Sequence, residues 1–466
     1  MAALSAAFAR MQTLDGHMSP VEALRHWPEG RPLAALVTST ADARWGRWSM
    51  LAQPERTIAA HTAEDALRAI EHAANDGGTW IVALSYELGA AFEPRALPRH
   101  RAPSDGWPLA TLVRCGPSLE FRLEEGGQQW SWGLPTHGDG SHAEAAHLAA
   151  EIIARAGSGT HAAERASITG LDADITRADY ERMVARAVEL VRAGDIFQAN
   201  IAQRFSARWT GSPRAVMRAA LQAATPRYGA YLETPTHALV GMSPELFLDV
   251  DRRAGTAVTR PIKGTRAFHE DPAELMASAK EAAELHMIVD LMRNDLGRIA
   301  VAGGVRVDAS RALESHATVH HCVAEISARL HPGITATEIL RATFPPGSVT
   351  GAPKVRAMQV IDELEPCARG PYCGAVGLIS PDRIALNVSI RTIAMAREGA
   401  DGGVLRYGAG CGIVAESEPR NEYEESLHKS AVLLRTAHTL GNLGTTAGSG
   451  AGAGTGISAT GAARAS

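Results

Sequence analysis

Cysteine is scarce in this sequence. Five occur in 466 residues, at Cys115, Cys322, Cys367, Cys373 and Cys411. The number is odd and no two form a CxxC pair, which argues against a disulfide framework and against a cysteine zinc site. A basic excess is also lacking, since 46 Lys+Arg stand against 51 Asp+Glu for a formal net charge of −5. A protein that grips nucleic acid through its phosphates normally carries a basic surplus or stripe, so that class is disfavoured. No uninterrupted apolar run approaches the roughly 18 residues that a membrane-spanning helix needs. The opening MAALSAAFARMQTLDGHMS has no basic start followed by an apolar core, so no secretory signal is expected. What remains is ordinary: 45% hydrophobic and 21% charged residues, enough for a large core and too apolar for wholesale disorder. At about 150 residues per domain, the length corresponds to roughly three domains, or to one long or two fused units. A soluble, cytoplasmic protein is expected.

Composition divides the chain. Residues 1–150 mix short apolar runs with turns, and TWIVALSYELGAAF begins like a buried strand. A linker is expected at about 135–172, where a turn-rich break passes into an Ala-rich helix and then a Gly/Ser break. From Asp174 onward, Tyr180, Met183, Ala187 and Leu190 recur at helical spacing, with Thr176 as N-cap and Gly194 as stop. IFQANIAQRF alternates like a strand. The strand-like segments HALVGMSPELFLDV, TAVTRPIKGT, RIALNVSIRTIAMA and VLRYGAGCGIVA follow, with helices interleaved at 271–299 and 421–438. These bounds give a second domain over 172–438. Residues 440–466 are rich in Gly, Ala, Ser and Thr; such a tail cannot bury enough surface to offset its chain entropy, and disorder is expected.

Four constellations stand out. In KEAAELHMIVDLMRNDLG, Glu281 and Glu284 project from one helical face, and in NEYEESLHKSAVLL, Glu422, Glu425 and Lys429 do the same. Each face runs on into apolar residues, and carboxylates there are costly to bury without a partner. Either the two helices present solvated faces, with Glu425 and Lys429 paired at i,i+4, or together they hold a hard divalent cation such as Mg²⁺. Lys263 in PIKGT lies at the end of a strand-like segment beside Gly264; it reads as a snorkelling surface lysine or as an amine nucleophile. FPPGSVTGAPKV is a Gly/Pro loop running into a helix, which presents backbone N–H groups to an anion or is simply a turn; the order of a Walker A loop is absent. His320–His321 before Cys322 is weak evidence for metal and better evidence for a hydrogen-bonding histidine near a site.

Taken in order, RPIKGT, AELHMIVDLMRNDLGRIA, FPPGSVTGAPKVRAMQVIDELEP, RGPYCGAVGLIS, NVSIRT, GAGCGIVAESEP and EYEESLHKSAVLL resemble the successive signatures of the chorismate-utilising enzymes. The likeness covers about 174–435, with SYELGAAF a looser match to the N-terminal part of the amination branch. It implies an α+β fold of antiparallel β-sheets packed as a sandwich, helices outside and the active site in the cleft between. It also implies roles residue by residue. Glu284 and Glu425 correspond to Mg²⁺ ligands, with Glu281 and Glu422 as outer or alternate ligands. Arg391 and Lys429 correspond to the clamp on the substrate carboxylates, helped by Tyr372 and by backbone N–H groups near Gly410 and Gly412. Glu245 corresponds to the acid beside the departing 4-hydroxyl, His321 to a histidine next to the ring, and Thr265 to a substrate contact. Two positions depart from the pattern: Pro346 in FPPGS, where FPGGS is usual, and Cys411, where glycine is common.

Two further positions separate the branches. Relatives that add water to chorismate carry a lysine where GDIFQAN has Gln198, which has no useful basicity. Anthranilate synthases carry a small alanine where this chain has Lys263, and a lysine in that slot resembles aminodeoxychorismate synthase. The resemblance therefore implies amination of chorismate at C4 on the route to p-aminobenzoate and folate, with anthranilate synthase as the alternative. It further implies a separate glutamine amidotransferase as ammonia source.

Overall fold

The computed structural model describes residues 11–444, apart from short stretches at 40–44, 97–98, 101, 125–128, 136–141, 160–163 and 316–318. Among the described residues, twenty strands join through antiparallel pairings into one hydrogen-bonded network. Helices cover its outer faces, giving the α+β class expected. Two large apolar cores lie within: one contains Trp80, Leu112, Phe247, Leu285, Ile288 and Leu386, the other Trp27, Phe121, Trp132, Trp209, Tyr231 and Leu433.

The N-terminal 150 residues are woven into this network. Ala34–Val37 pairs with Tyr228–Glu233, and Trp80–Leu84, buried along its whole length, pairs with Ala375–Ile379. The expected linker contains ordered elements, the helix His142–Gly157 and the strand Ala166–Ala173. The helix after Asp174 runs Arg177–Arg192; Thr176 and Asp179 close a capping box that satisfies backbone N–H groups at its start. Gly194 follows with φ of 81°, a left-handed conformation natural for a glycine beyond a helix end.

Three of the expected strands are broken, and the breaks build the site. HALVGMSPELFLDV forms His237–Ser243 and Leu246–Asp251, parted at Pro244 and Glu245. TAVTRPIKGT forms Thr256–Arg260 and Ile262–Ala267, parted at Pro261. Proline cannot donate to a strand ladder, so each Pro ends the pairing there. RIALNVSIRTIAMA forms Arg383–Val388 and Thr392–Arg397, parted where Arg391 adopts φ of 50°. Only VLRYGAGCGIVA has no internal break: it runs as strand from Val404 to Ile413, within Gly402–Ile413, which pairs along its length with Gln198–Gly211, and only its last two residues lie beyond. The helix expected at 271–299 is also two, Pro272–Ala277 and Ala279–Gly297, because Ser278 is extended and its hydroxyl caps the second by accepting from Glu281 N. At the far end, the helix beginning at Pro419 continues to Gly444, past the expected start of the tail. The rest of that tail, 445–466, lies outside the described residues.

Candidate active site

Lys263 sits at a register shift between Ile262 and Thr265 in the pairing with Val319–Leu330. Such an irregularity bends a strand and re-aims a side chain. The amine donates to the carbonyl oxygen of Ser348 at 3.1 Å. Glu245, 5% exposed, lies beside it at the neighbouring strand break. Burial pushes the Glu245 carboxyl up to about 7, although the Ser348 hydroxyl, the Lys263 charge and the Ile262 N–H all favour its ionised form. A carboxylic acid that keeps its proton near neutrality is suited to protonating a leaving hydroxyl. The FPPGS loop that supplies Ser348 is firmly held. Thr350 Oγ1 donates to Pro346 O at 2.8 Å, and Arg369 Nη1 donates to Val349 O at 3.1 Å. Pro346 itself supplies the carbonyl that Thr350 holds.

Gly264 has φ of 83°, and a Cβ there would lie 2.9 Å from Glu281 Oε2. The position thus requires glycine twice, for its backbone and for its contact with the acidic helix. Thr265 Oγ1 and His321 Nδ1 are 2.9 Å apart, joined across paired strands. His320 faces elsewhere, with Ser315 Oγ 2.8 Å from its Nδ1 and its ring stacked on Phe268.

The Gly402–Ile413 strand forms the floor. A Cβ on Gly412 would lie 2.5 Å from Gln198 Nε2 and 3.4 Å from Lys263 Nζ. Tyr372 lies flat over Gly408, where any side chain would collide with its ring. Gln198 in turn donates to Glu284 Oε2 at 3.5 Å. Cys411 points the opposite way, as alternation along a strand demands, and is buried. It leaves the glycine face open, so its side chain does not disturb the backbone contacts expected at Gly410 and Gly412.

Lys429 reaches the edge of this strand. Its amine donates to Gly410 O at 2.9 Å and pairs with Glu425 Oε1 at 2.7 Å. A strand residue sends its N–H and C=O to the same edge, and residues two apart share that edge. The N–H groups of Gly410 and Gly412 therefore face Lys429. Partial burial opposes the Lys429 charge, but the Cys411 sulfur and the Glu425 and Glu422 carboxylates outweigh it and hold the ammonium above its ordinary range. Arg391 is half-buried, which pulls its guanidinium below the usual value; its titratable neighbours are the Tyr407 phenol and Arg435, whose like charge opposes it. Among the described residues no carboxylate pairs with it. Tyr407 links it to Lys429, donating from its hydroxyl to the Lys429 carbonyl at 2.9 Å.

The acidic residues meet the site in two groups. Ligand atoms of Glu422, Glu425 and Cys411 lie within 4.8 Å of one another, while Glu281 and Glu284 stand beside Gly264 and Gln198. The carboxylates suit a hard divalent cation. The Cys411 thiol, held protonated by burial, is a poor third donor.

Sequence reasoning missed Ser348 as a side chain and Glu365–Arg369 altogether. Arg369, paired with Glu365 at 2.6 Å with both buried, fills the open edge of the Gln198–Gly211 strand. Its Nη2 donates to Asn200 O at 2.5 Å, while Glu365 Oε1 accepts from Ala202 N at 2.9 Å. The i,i+4 spacing of the pair was the available signal.

The chorismate binding enzyme family matches this chain over residues 32–435. "Aminodeoxychorismate synthase component 1" of Escherichia coli is 41% identical over 270 residues, 56% of this chain and 58% of that protein. "Anthranilate synthase component 1" of Thermus thermophilus is 40% identical over 271 residues, 56% of this chain and 57% of that protein. The chain thus spans less than two thirds of the length of the curated relatives it matches. Among solved structures, anthranilate synthase component I from Streptococcus pneumoniae superposes with a TM-score of 0.69 at 28% identity, covering 83% of this chain and 92% of that one. A match across nearly the whole chain, over the same strand breaks that position Glu245, Lys263 and Arg391, makes the chain a member of the chorismate binding enzyme family.

Proposed function

We propose that the chain is the chorismate-converting component of an aminodeoxychorismate synthase, forming 4-amino-4-deoxychorismate for p-aminobenzoate and folate. The observation that carries this reading is the Lys263 amine, 3.1 Å from Ser348 O and beside the protonatable Glu245. Chorismate carries two carboxylates, which Arg391, Lys429 and the N–H groups of Gly410 and Gly412 would orient. Mg²⁺, held by Glu284 and Glu425 with Glu281 and Glu422 behind them, would supply charge neutralisation beside a substrate carboxylate. Lys263 passes its ammonium proton to Glu245 and, as the free amine, forms a bond to C2. The ring double bonds shift, the C4–O bond breaks, and the hydroxyl leaves as water with the proton of Glu245. Ammonia then bonds to C4, the double bonds shift back, the Lys263–C2 bond breaks to regenerate the amine, and the surplus proton on the new C4 nitrogen returns to Glu245. Thr265 and His321 line the ring side. Gln198 offers no base to activate water, which favours the amine route.

Incubation with chorismate, Mg²⁺ and an ammonium salt, with products identified by mass and fluorescence, tests this reading. Anthranilate as product would establish the second reading, which the likeness to the Thermus protein favours. Because Glu245 must be protonated to act, activity falls as pH rises through about 7. The measurement is the pH profile of kcat/KM with saturating ammonia kept constant as the free base, in wild type and in Glu245→Gln. Loss of this alkaline limb together with a drop of about 10²–10⁴-fold in rate is the expected result for Glu245→Gln.

The proposed ammonia source is a separate glutamine amidotransferase. The one His-x-Glu spacing, His142 to Glu144, opens a helix, and none of the five cysteines lies at a strand-to-helix turn. Glutamine alone should give no product with the purified chain, whereas ammonium salts suffice. Turnover of glutamine without a partner would refute this.

A further inference from the structure

We propose that Glu87 is a positioning residue for the wall of the site: its carboxyl holds the turn at Arg369 and Gly370 and through it sets Tyr372 against the glycine floor. The inference rests on the proposed function for chorismate as substrate and for the part of Tyr372 in binding it. Glu87 stands in SYELGAAF, far from the site in sequence. Its side chain, 1% exposed, accepts through Oε1 from Arg369 N at 2.7 Å and from Gly370 N at 3.1 Å. The adjacent Tyr86 N donates to Gly370 O at 2.8 Å, so both peptide groups of Gly370 are held by this one segment. Gly370 itself has φ of 63°, a left-handed conformation that turns the chain sharply. Two residues on, the Tyr372 ring lies over Gly408, and a Cβ on Gly374 would lie 1.9 Å from Leu84 O. The turn is therefore pressed against the same N-terminal segment on both sides of Tyr372. The Arg369 guanidinium completes the wall, 4.7 Å from the centre of the Tyr86 ring and 5.9 Å from that of Tyr372. The second oxygen of the Glu87 carboxyl, Oε2, is buried with no hydrogen-bond partner among the described residues. Such an atom costs stability, so this carboxyl is better explained by what Oε1 holds than by any gain in stability.

Tyr372 takes no part in the bond changes assigned to Lys263 and Glu245. Misplacing it weakens ground-state and transition-state binding alike, which is read in KM rather than in kcat. Glu87→Ala deletes the acceptor of both N–H groups and should raise KM for chorismate about tenfold, with kcat within about twofold of wild type. Glu87→Gln keeps an acceptor oxygen and should hold KM within about twofold. Leu88→Ala is the control for mere weakening: Leu88 is fully buried, and its truncation lowers the melting temperature while leaving the hydrogen bonds to the turn in place. Its KM should not move. In a Tyr372→Leu background, Glu87→Ala should add no more than about twofold to KM. Thermal melting of each variant establishes that it is folded. A wild-type KM in folded Glu87→Ala, an equal rise in Glu87→Gln or in Leu88→Ala, or the full rise in the Tyr372→Leu background would each overturn the assignment. Product identity is read in the same assays. Anthranilate from wild type would remove the C4 reading alone, because chorismate is the substrate of both reactions and its KM still decides the part of Glu87.

Discussion

Replacing Lys263 by alanine is expected to slow formation of 4-amino-4-deoxychorismate by about 10²-fold or more, equivalent to ~2.7 kcal/mol of barrier. The argument is geometric. Among the described residues no carboxylate lies within ion-pair distance of the amine; its hydrogen bond goes to a backbone carbonyl, and a Cβ on Gly412 would lie 3.4 Å from it. Deleting the side chain vacates C2, and some anthranilate-type product should appear as ammonia enters there. Lys263→Arg should not rescue, since a guanidinium stays protonated and cannot attack. Product identity for wild type, Lys263→Ala and Lys263→Arg is the measurement, with trapping of a lysine–substrate adduct as support. Wild-type rates of C4 amination in Lys263→Ala would dispose of the nucleophile.

Comparable losses, on the order of 10²-fold, are expected for Glu284→Gln and for Glu425→Gln. Carboxylates at Glu284, Glu425 and Glu422 would face a dianionic substrate, and without a cation the charges repel. Neither change should unfold the chain. Glu284 contacts a neutral amide, Gln198, at 3.5 Å, and the Glu425–Lys429 pair is about half exposed, where such pairs contribute little to stability. Both substitutions should also raise the Mg²⁺ concentration needed for half-maximal rate. Full activity in excess chelator would end this assignment.

Much of the candidate site was legible because it is built locally. PIKGT, SPE and SIRT each place a candidate side chain at or within two residues of a strand break, and the prolines at 244 and 261 are visible in sequence. The breaks themselves were read through, because apolar alternation continues on both sides of Pro244, Pro261 and Arg391 and periodicity carries no information about a single unpaired residue. The Glu425–Lys429 pair was available from its spacing of four. Ser348 was not, because its contact with Lys263 is made by a backbone carbonyl, which every residue possesses. The pairing of Trp80–Leu84 with Ala375–Ile379 was equally hidden: a strand buried on both faces reads as a plain apolar run, and nothing in it names its partner.

That pairing also imposes an order of events during synthesis. Leu84 leaves the ribosome roughly 290 residues before Ala375, its hydrogen-bonding partner. At about 5–20 residues per second the Trp80–Leu84 strand waits for something like 15–60 s with one edge unsatisfied. Its other edge can meet Ala110–Leu123 early. The nascent chain thus carries an exposed apolar strand edge through most of its translation, the kind of surface that invites chaperone capture or mispairing until Ala375–Ile379 arrives.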